Sequence, residues 1–580
     1  MLAIRENVRA FFFNKPHLPD VLILSLFTVI VTFHPFYLYG RINLFENGIY
    51  LPCIDAVLHG QIPYRDFFYL RGPFEIYVPA ALMSVFGAHL GVLATYFYVG
   101  TVLGLLACIF IGRELYRTRL VLYLMVPVLV ARTFPRVVFT YWGGMRYALG
   151  LLALFFAIKY FKCMKKYWIF WSGFTAACGL FTSVEIGVCV MAGVLVVFVL
   201  LLWVKLIKSR ELFYGLCSFG IGMAVVVLPY VAYLISNGAF IPYLESTHAV
   251  VANMQKVINP HLALEYPSNV FEAIKAMVTV TSKNFRHMTP SYLYLFLIFY
   301  IGGIARKRKF ALEHVIAAMV GIYGLTMYNA AFRGIWASQF EMALQPEKIL
   351  YFYLLERIYF VFSGFRDKTI IQRLSANFGC LKPGEWLRAY ASRIFIILVI
   401  VTSLGYALQR YSHRFFVFKY VQNVLGAKGS AGFLKQQQEG LRFLKIERAK
   451  SMVVPIEQAQ ELEFVVDFIR KNSGPNEVVF TYPQSGTYNF LADRPFLGRF
   501  PMATFSWFKE EWHRELMADF SKNKPKFVIV SRDLPADWER VYLAPPENRR
   551  KYRDVMEMIR LHYRLCVKSP QSDIYRLRKE

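Results

Sequence analysis

The chain has 580 residues, of which 56% are hydrophobic, 17% aromatic and only 18% charged, and its mean hydropathy is +0.39. Soluble globules carry about a quarter charged residues, so this composition excludes an ordinary soluble enzyme and reads as a polytopic α-helical membrane protein. The net charge of +28 must first be tested as a topology signal, and the 8 Cys, with no CxxC among them, exclude a thiolate zinc site and a disulfide framework.

A bilayer core takes about 20 apolar residues per helix. The first uncharged run, Val21 to Gly40, follows Arg5, Arg9 and Lys15. It is too long for a signal-peptide core and no small-x-small cleavage site follows, so it predicts an uncleaved anchor with a cytoplasmic N-terminus. Ten further spans are expected near 90–112, 120–134, 144–160, 167–182, 185–205, 213–236, 290–305, 311–330, 348–365 and 393–409, eleven in all.

Placing alternate loops on one side gathers Arg113, Arg117 and Arg119; Lys159, Lys162, Lys165 and Lys166; Lys205, Lys208 and Arg210; Arg306 to Lys309; and the loop holding Arg366 to Arg393. Together with the N-terminus these obey one parity, the positive-inside pattern. Most of the positive charge in this half is therefore an orientation signal, and no nucleic-acid partner is expected. Glu356 and Arg357 fall near the middle of the span at 348–365, where an unpaired charge costs ~2.5–3.5 kcal/mol on insertion scales.

Past Gln409 the chain turns polar and mixed. An amphipathic helix is predicted near Ile456–Arg470, buried strands at Glu477–Tyr482 and Lys526–Ser531, and a helix near Arg550–Tyr563. The expected organisation is a transmembrane domain over 1–409, including a first outer loop at 41–89, and an extracytoplasmic α/β domain over 410–580. With eleven crossings from an inside start, that domain lies in the periplasm or its equivalent, and the protein is multi-pass in the inner (plasma) membrane.

The first outer loop is unusually rich in chemistry. It carries Glu46, Asp55 and Asp66, and Gly60, Pro63, Gly72 and Pro73 fix turns around Asp66. Pro52 to Leu58 predicts a short surface helix with Asp55 on its solvated face. The order Glu46-Asn47-Gly48-Ile49-Tyr50, Gly60, Pro63-Tyr64-Arg65-Asp66 and Gly72-Pro73, leading into an apolar helix that ends at Phe86-Gly87, resembles the C-type (GT-C) membrane glycosyltransferases, such as protein O-mannosyltransferases and lipid A aminoarabinose transferases. In those proteins an Asp-Glu-x-x-Tyr element follows the first transmembrane helix, and a Gly and a Pro-rich turn come next. Residues 454–499 are similar to the outer α/β tail of a subset of them.

The resemblance implies a GT-C-like helical fold with a C-terminal α/β domain. It further implies a polyprenyl-phosphate-linked sugar as donor, a glycan, lipid or protein acceptor in the cell envelope, and contact with membrane lipids. No cofactor is required, and divalent metal use is left open. The family's first acid, usually Asp, is the catalytic base. Here that position is Glu46 and the second acidic position is Asn47, so Glu46 is the expected base and Asp66 its runner-up.

Sugar transfer from a lipid phosphate needs a carboxylate to take the acceptor proton and cations to stabilise the departing phosphate. The few basic residues expected on the outer side, Arg71, Arg132, Arg136, Arg146 and Arg333, are the phosphate candidates. Glu185 at the outer rim is placed to orient an Arg or bind a donor-sugar hydroxyl, and Tyr50 and Tyr64 complete the candidate binding set. His34, His59 and His89 are too scattered for a metal site. Two other classes compete: a lipid-linked-sugar flippase or secondary transporter, and a non-catalytic scaffold for envelope-polymer assembly. Against transport stand the odd span count, the absence of a repeat, and the concentration of acids in one outer loop.

Overall fold

A computed structural model describes residues 11–33, 42–133, 144–258, 267–278, 288–307, 310–332, 343–363, 383–425, 439–450, 452–532, 534 and 538–578. The helical half runs α1 (Leu18–Thr32), α2 (Leu44–Leu58), α3 (Phe74–Phe86), α4 (Leu90–Leu115), α5 (Arg119–Thr133), α6 (Met145–Cys163), α7 (Lys166–Thr182), α8 (Val184–Trp203), α9 (Ser209–Ser236), α10 (Phe240–Val257), α11 (Val270–Val278), α12 (Pro290–Arg306), α13 (Leu312–Ala331), α14 (Gln345–Ser363), α15 (Pro383–Arg414) and α16 (Phe416–Leu425). A helix stands at each predicted span. Among the described residues, 90–115, 184–203, 209–236 and 393–414 are long and apolar enough to cross a membrane, and α1, α3 and α12 are shorter apolar helices. Gly87, at φ +95°, ends α3 and separates it from α4.

One end of the bundle holds a layer of ion pairs. Glu114 pairs with Lys162 and, at 3.5 Å, with Lys159, and Arg119 reaches Asp20 at 3.0 Å. Glu356 accepts from the Arg117 and Thr118 backbone N–H groups and from the Thr118 hydroxyl at 2.8–3.1 Å. Arg357 donates to both Glu313 oxygens at 3.0 Å, and Arg117 reaches the same carboxylate at 2.7 Å. Glu356 and Arg357 therefore do not lie unpaired at mid-span. They join the end that carries Arg113, Arg117 and the start of α13, where their desolvation is offset by paired hydrogen bonds.

The C-terminal region carries a two-stranded antiparallel pair, β1 (Leu441–Phe443) and β2 (Val453–Pro455), and then α17 (Ile456–Asn472), β3 (Val479–Tyr482), α18 (Thr487–Ala492) and α19 (Glu510–Asn523). It continues through β4 (Phe527–Ser531), α20 (Trp538–Tyr542), α21 (Pro546–His562), β5 (Tyr563–Lys568) and β6 (Ser572–Leu577). The main sheet has the order β3-β4-β6-β5, with β3 and β4 parallel and the other pairs antiparallel. β3 and β4 are buried throughout, as their largely apolar sequences predict.

The buried apolar side chains form two clusters. One fills the bundle, and the other joins α2, α3 and the start of α4 to the C-terminal sheet and helices. The segment around α2 and α3 thus shares its core with the C-terminal region. Polar bonds reinforce the union: Ile42 and the Gln458 amide exchange bonds of 2.8 and 2.9 Å, and the Phe68 N–H donates to the Arg499 carbonyl at 2.7 Å. Arg448 donates to Asp55 at 2.7 Å and to Asp493 at 2.5 Å. This corrects two expectations. The helix begins at Leu44, not Pro52, and is largely buried; and Asp55 faces the C-terminal region, not solvent.

Candidate functional site

The site sits at the end of the bundle opposite the ion-pair layer. Arg146 opens α6 and Lys162 closes it, about 24 Å apart at 1.5 Å per residue. The Asn43 side chain caps α2, accepting from the Phe45 and Glu46 N–H groups at 3.0 Å. Glu46 and Tyr50, one turn apart, share a helix face.

Arg71 meets that face. Its Nη2 lies 3.7 Å from Glu46 Oε2, its Nη1 lies 3.6 Å from Glu75 Oε2, and its guanidinium stands 4.9 Å from the centre of the Tyr50 ring. The Tyr50 hydroxyl donates to Glu75 Oε2 at 3.2 Å. Glu46, Arg71 and Glu75 are all buried.

The turn that presents Arg71 is anchored on both sides. Tyr64, at φ +69°, donates its hydroxyl to the Arg71 carbonyl at 2.6 Å. The Gly72 N–H donates to the Thr182 carbonyl at 3.2 Å. A Cβ on Gly72 would lie 2.1 Å from the Phe181 carbonyl oxygen, so only glycine permits this approach to the end of α7.

Arg146 is buried at the start of α6. It lies within electrostatic reach of Glu75, Glu185, Glu46 and Arg71, with Glu185 in the first turn of α8. Burial, and then the Arg146 guanidinium, push Arg71 below its ordinary value, against the pull of Glu75 and Glu46. The thirteen-residue α3 is too short to span a bilayer, and burial raises the carboxyl of its Glu75 against the pull of Arg146 and Arg71. The cluster thus gathers two guanidiniums, Arg71 and Arg146, among the carboxyl groups of Glu46, Glu75 and Glu185.

The structure thus unites Glu46, Tyr50, Arg71, Arg146 and Glu185 of the predicted set, with Tyr64 supporting from behind. Asp66 is placed differently. Its Oδ2 accepts from the Ile62 N–H at 2.7 Å, and both its oxygens accept from Arg65 at 2.8 and 2.9 Å. The Arg65 hydrogen bonds hold its carboxyl below the usual range. Arg132 lies half-buried in the last turn of α5, and Arg136 and Arg333 fall outside the described residues. Glu75 is the member that sequence reasoning missed. Its signal was its spacing: four residues after Arg71, and the last charge before the uncharged stretch from Ile76 to Gly112. Among the described residues no group of three His, Cys, Asp or Glu side chains is placed to hold a metal ion.

The helical bundle, with residues 42–87 packed against a C-terminal α/β region, is a fold that solved structures share. By sequence, no protein-family model and no curated protein matches the chain. Among solved structures, ArnT from Cupriavidus metallidurans bound to undecaprenyl phosphate matches with a TM-score of 0.51 at 11% identity, over 97% of this chain and 98% of that one. The same ArnT in the apo state matches with a TM-score of 0.51 at 12% identity, over 96% and 97%. The apo oligosaccharyltransferase from Archaeoglobus fulgidus aligns at 12% identity over 92% and 72%, with a TM-score of 0.48. At these identities the likeness is one of fold.

Proposed function

We propose that the protein is an inverting membrane glycosyltransferase that moves a sugar from a polyprenyl-phosphate donor to an extracytoplasmic acceptor: a cell-envelope glycan, a lipid or a protein. The observation that carries this reading is the Glu46–Arg71–Glu75 cluster beside Arg146, in which two carboxyl groups and two guanidiniums meet at one end of the helical bundle.

Glu46 takes the proton of the acceptor hydroxyl, a general-base role worth ~10²–10⁴-fold. The acceptor oxygen bonds to the anomeric carbon as the bond from that carbon to the phosphate oxygen breaks. The electron pair leaves with the polyprenyl phosphate, whose charge Arg71 and Arg146 stabilise in a partly dehydrated site. Attack opposite the leaving group inverts the anomeric centre. Phosphate leaves without help from a second carboxylic acid, so one base suffices, and Asp66 serves the turn. Arg132, Arg136 and Arg333 remain further candidates for the lipid phosphate, and Glu185 orients Arg146.

In this reading the chain crosses the inner membrane eleven times, with its ion-paired, Lys- and Arg-rich end in the cytoplasm and residues 410–580 outside. The opposed positions of the ion-pair layer and the Glu46 cluster support that orientation.

Purified protein reconstituted in vesicles with a radiolabelled polyprenyl-phosphate sugar and an envelope acceptor fraction tests the reaction class. Transfer of label with release of polyprenyl phosphate is expected. Movement of intact sugar-lipid across the vesicle membrane, with none consumed, would instead establish a flippase.

A further inference from the structure

Several buried amide side chains among the described residues are engaged by the fold. Gln458 bonds both its atoms to Ile42, Asn489 bonds Thr481, Val479 and Pro495, and Asn548 donates to three carbonyls. Asn47 and Gln484 depart from this pattern. Both atoms of each amide are buried without a hydrogen-bond partner, and so is the neighbouring Ser485 hydroxyl. The three residues are 0%, 3% and 1% exposed.

These groups belong to one interface. Thr487 donates its hydroxyl to the Leu44 carbonyl at 2.6 Å, and a Cβ on Gly48 would lie 3.2 Å from the Gly486 nitrogen. Segment 484–487 therefore lies over the first turns of α2, and Leu44 and Gly48 mark the face it covers. At about 100° per residue, Asn47 stands between that face and the Glu46 face, about 100° from each neighbour.

We propose that Asn47, Gln484 and Ser485 form a subsite for the hydroxyl groups of a sugar ring, assembled from α2 and the C-terminal region and adjoining Glu46. The inference rests on the glycosyltransferase reading and deepens it. An amide offers a donor and an acceptor side by side, and a hydroxyl presents both in return. None of the three side chains is charged, so the subsite suits a neutral polyol, while Arg71 and Arg146 suit the phosphate. Buried polar groups with no partner are costly to leave unmade, and a ligand that completes them recovers that loss.

The test uses full-length protein in detergent, with Asn47→Leu and Gln484→Met. Bare undecaprenyl phosphate reports on folding and on the phosphate site. Undecaprenyl-phosphate glucose probes a donor-sugar role, and methyl glycosides used as surrogate acceptors, with release of undecaprenyl phosphate as the signal, probe an acceptor role. The variants are expected to bind bare undecaprenyl phosphate as the wild type does. They should lose about tenfold or more either in affinity for the glucosyl lipid or in half-saturation by the glycosides, and the arm that moves identifies which sugar is held. Wild-type behaviour in both arms, with only a changed melting temperature, overturns the subsite and leaves the amides as packing groups. A wild-type protein that binds neither lipid overturns the glycosyltransferase reading itself, a separate and recognisable result.

Discussion

Arg71 holds its Nη2 3.7 Å from Glu46 Oε2, across the face of Tyr50, so the proposed base and the proposed phosphate ligand are immediate neighbours. In the proposed reaction the anomeric carbon lies between the acceptor oxygen that Glu46 serves and the phosphate that Arg71 serves. Arg71→Met should weaken binding of undecaprenyl phosphate by about 10- to 100-fold, the value of a charge-assisted hydrogen bond. Arg71→Lys should recover only part of it, since a point charge cannot grip two oxygens at once. Equilibrium binding with a fluorescent or radiolabelled lipid phosphate measures both.

Glu75 stands 3.6 Å from the guanidinium proposed to bind the phosphate, and would compete with it. Glu75→Gln keeps an oxygen for the Tyr50 hydroxyl but removes the charge, so lipid-phosphate affinity should rise several-fold at neutral pH. Burial raises this carboxyl, so it takes up its proton earlier than an ordinary glutamate as pH falls. The wild type then becomes neutral there too, and the variant's advantage should shrink on acidification. A ratio of affinities that does not change with pH would exclude titration of Glu75 in the free site.

Asp66 closes the turn at 62–66 and holds Arg65, which donates to the Asn237 carbonyl at 3.1 Å. Asp66→Asn should therefore leave transfer largely intact while lowering the melting temperature. Its folded carboxyl is held below the ordinary value, so its stabilisation is present above the unfolded value of about 4 and is lost as pH falls below it. The difference in melting temperature between wild type and variant should be seen at pH 7 and fade in acid.

Arg448 and Asp55 join the C-terminal region to α2 through a 2.7 Å bond, with each side chain 14% exposed. Either Arg448→Ala or Asp55→Ala should cost about 1.5–3 kcal/mol. The double variant should cost clearly less than the sum, because the first change already breaks the shared bond. Denaturation midpoints of the three proteins measure the coupling, and strict additivity would show that the pair stabilises nothing jointly.

The helices were legible because their lengths and charge punctuation are set by the bilayer: Arg113 and Lys162 end α4 and α6 where the basic clusters predict. Glu46 and Arg71 were legible from the first outer loop, whose residue order resembles a known family. Glu75 was not, since a lone acid at the start of an apolar helix shows its partners only once the turn at Gly72 folds Arg71 back onto it. Asp55 was misjudged, and the setting of Asp66 was hidden, for a related reason. Asp55 meets Arg448, 393 residues away, and Asp66 is satisfied by its own neighbour Arg65. Sequence spacing reveals neither a contact of that range nor whether a carboxylate's oxygens are already engaged.

The central claim is that Glu46 is the base, and Glu46→Gln in a transfer assay tests it most directly. With radiolabelled polyprenyl-phosphate sugar and an envelope acceptor fraction, turnover should fall by at least about 10²-fold while binding of the donor lipid is retained. Transfer at the wild-type rate by the Glu46→Gln protein would contradict the account.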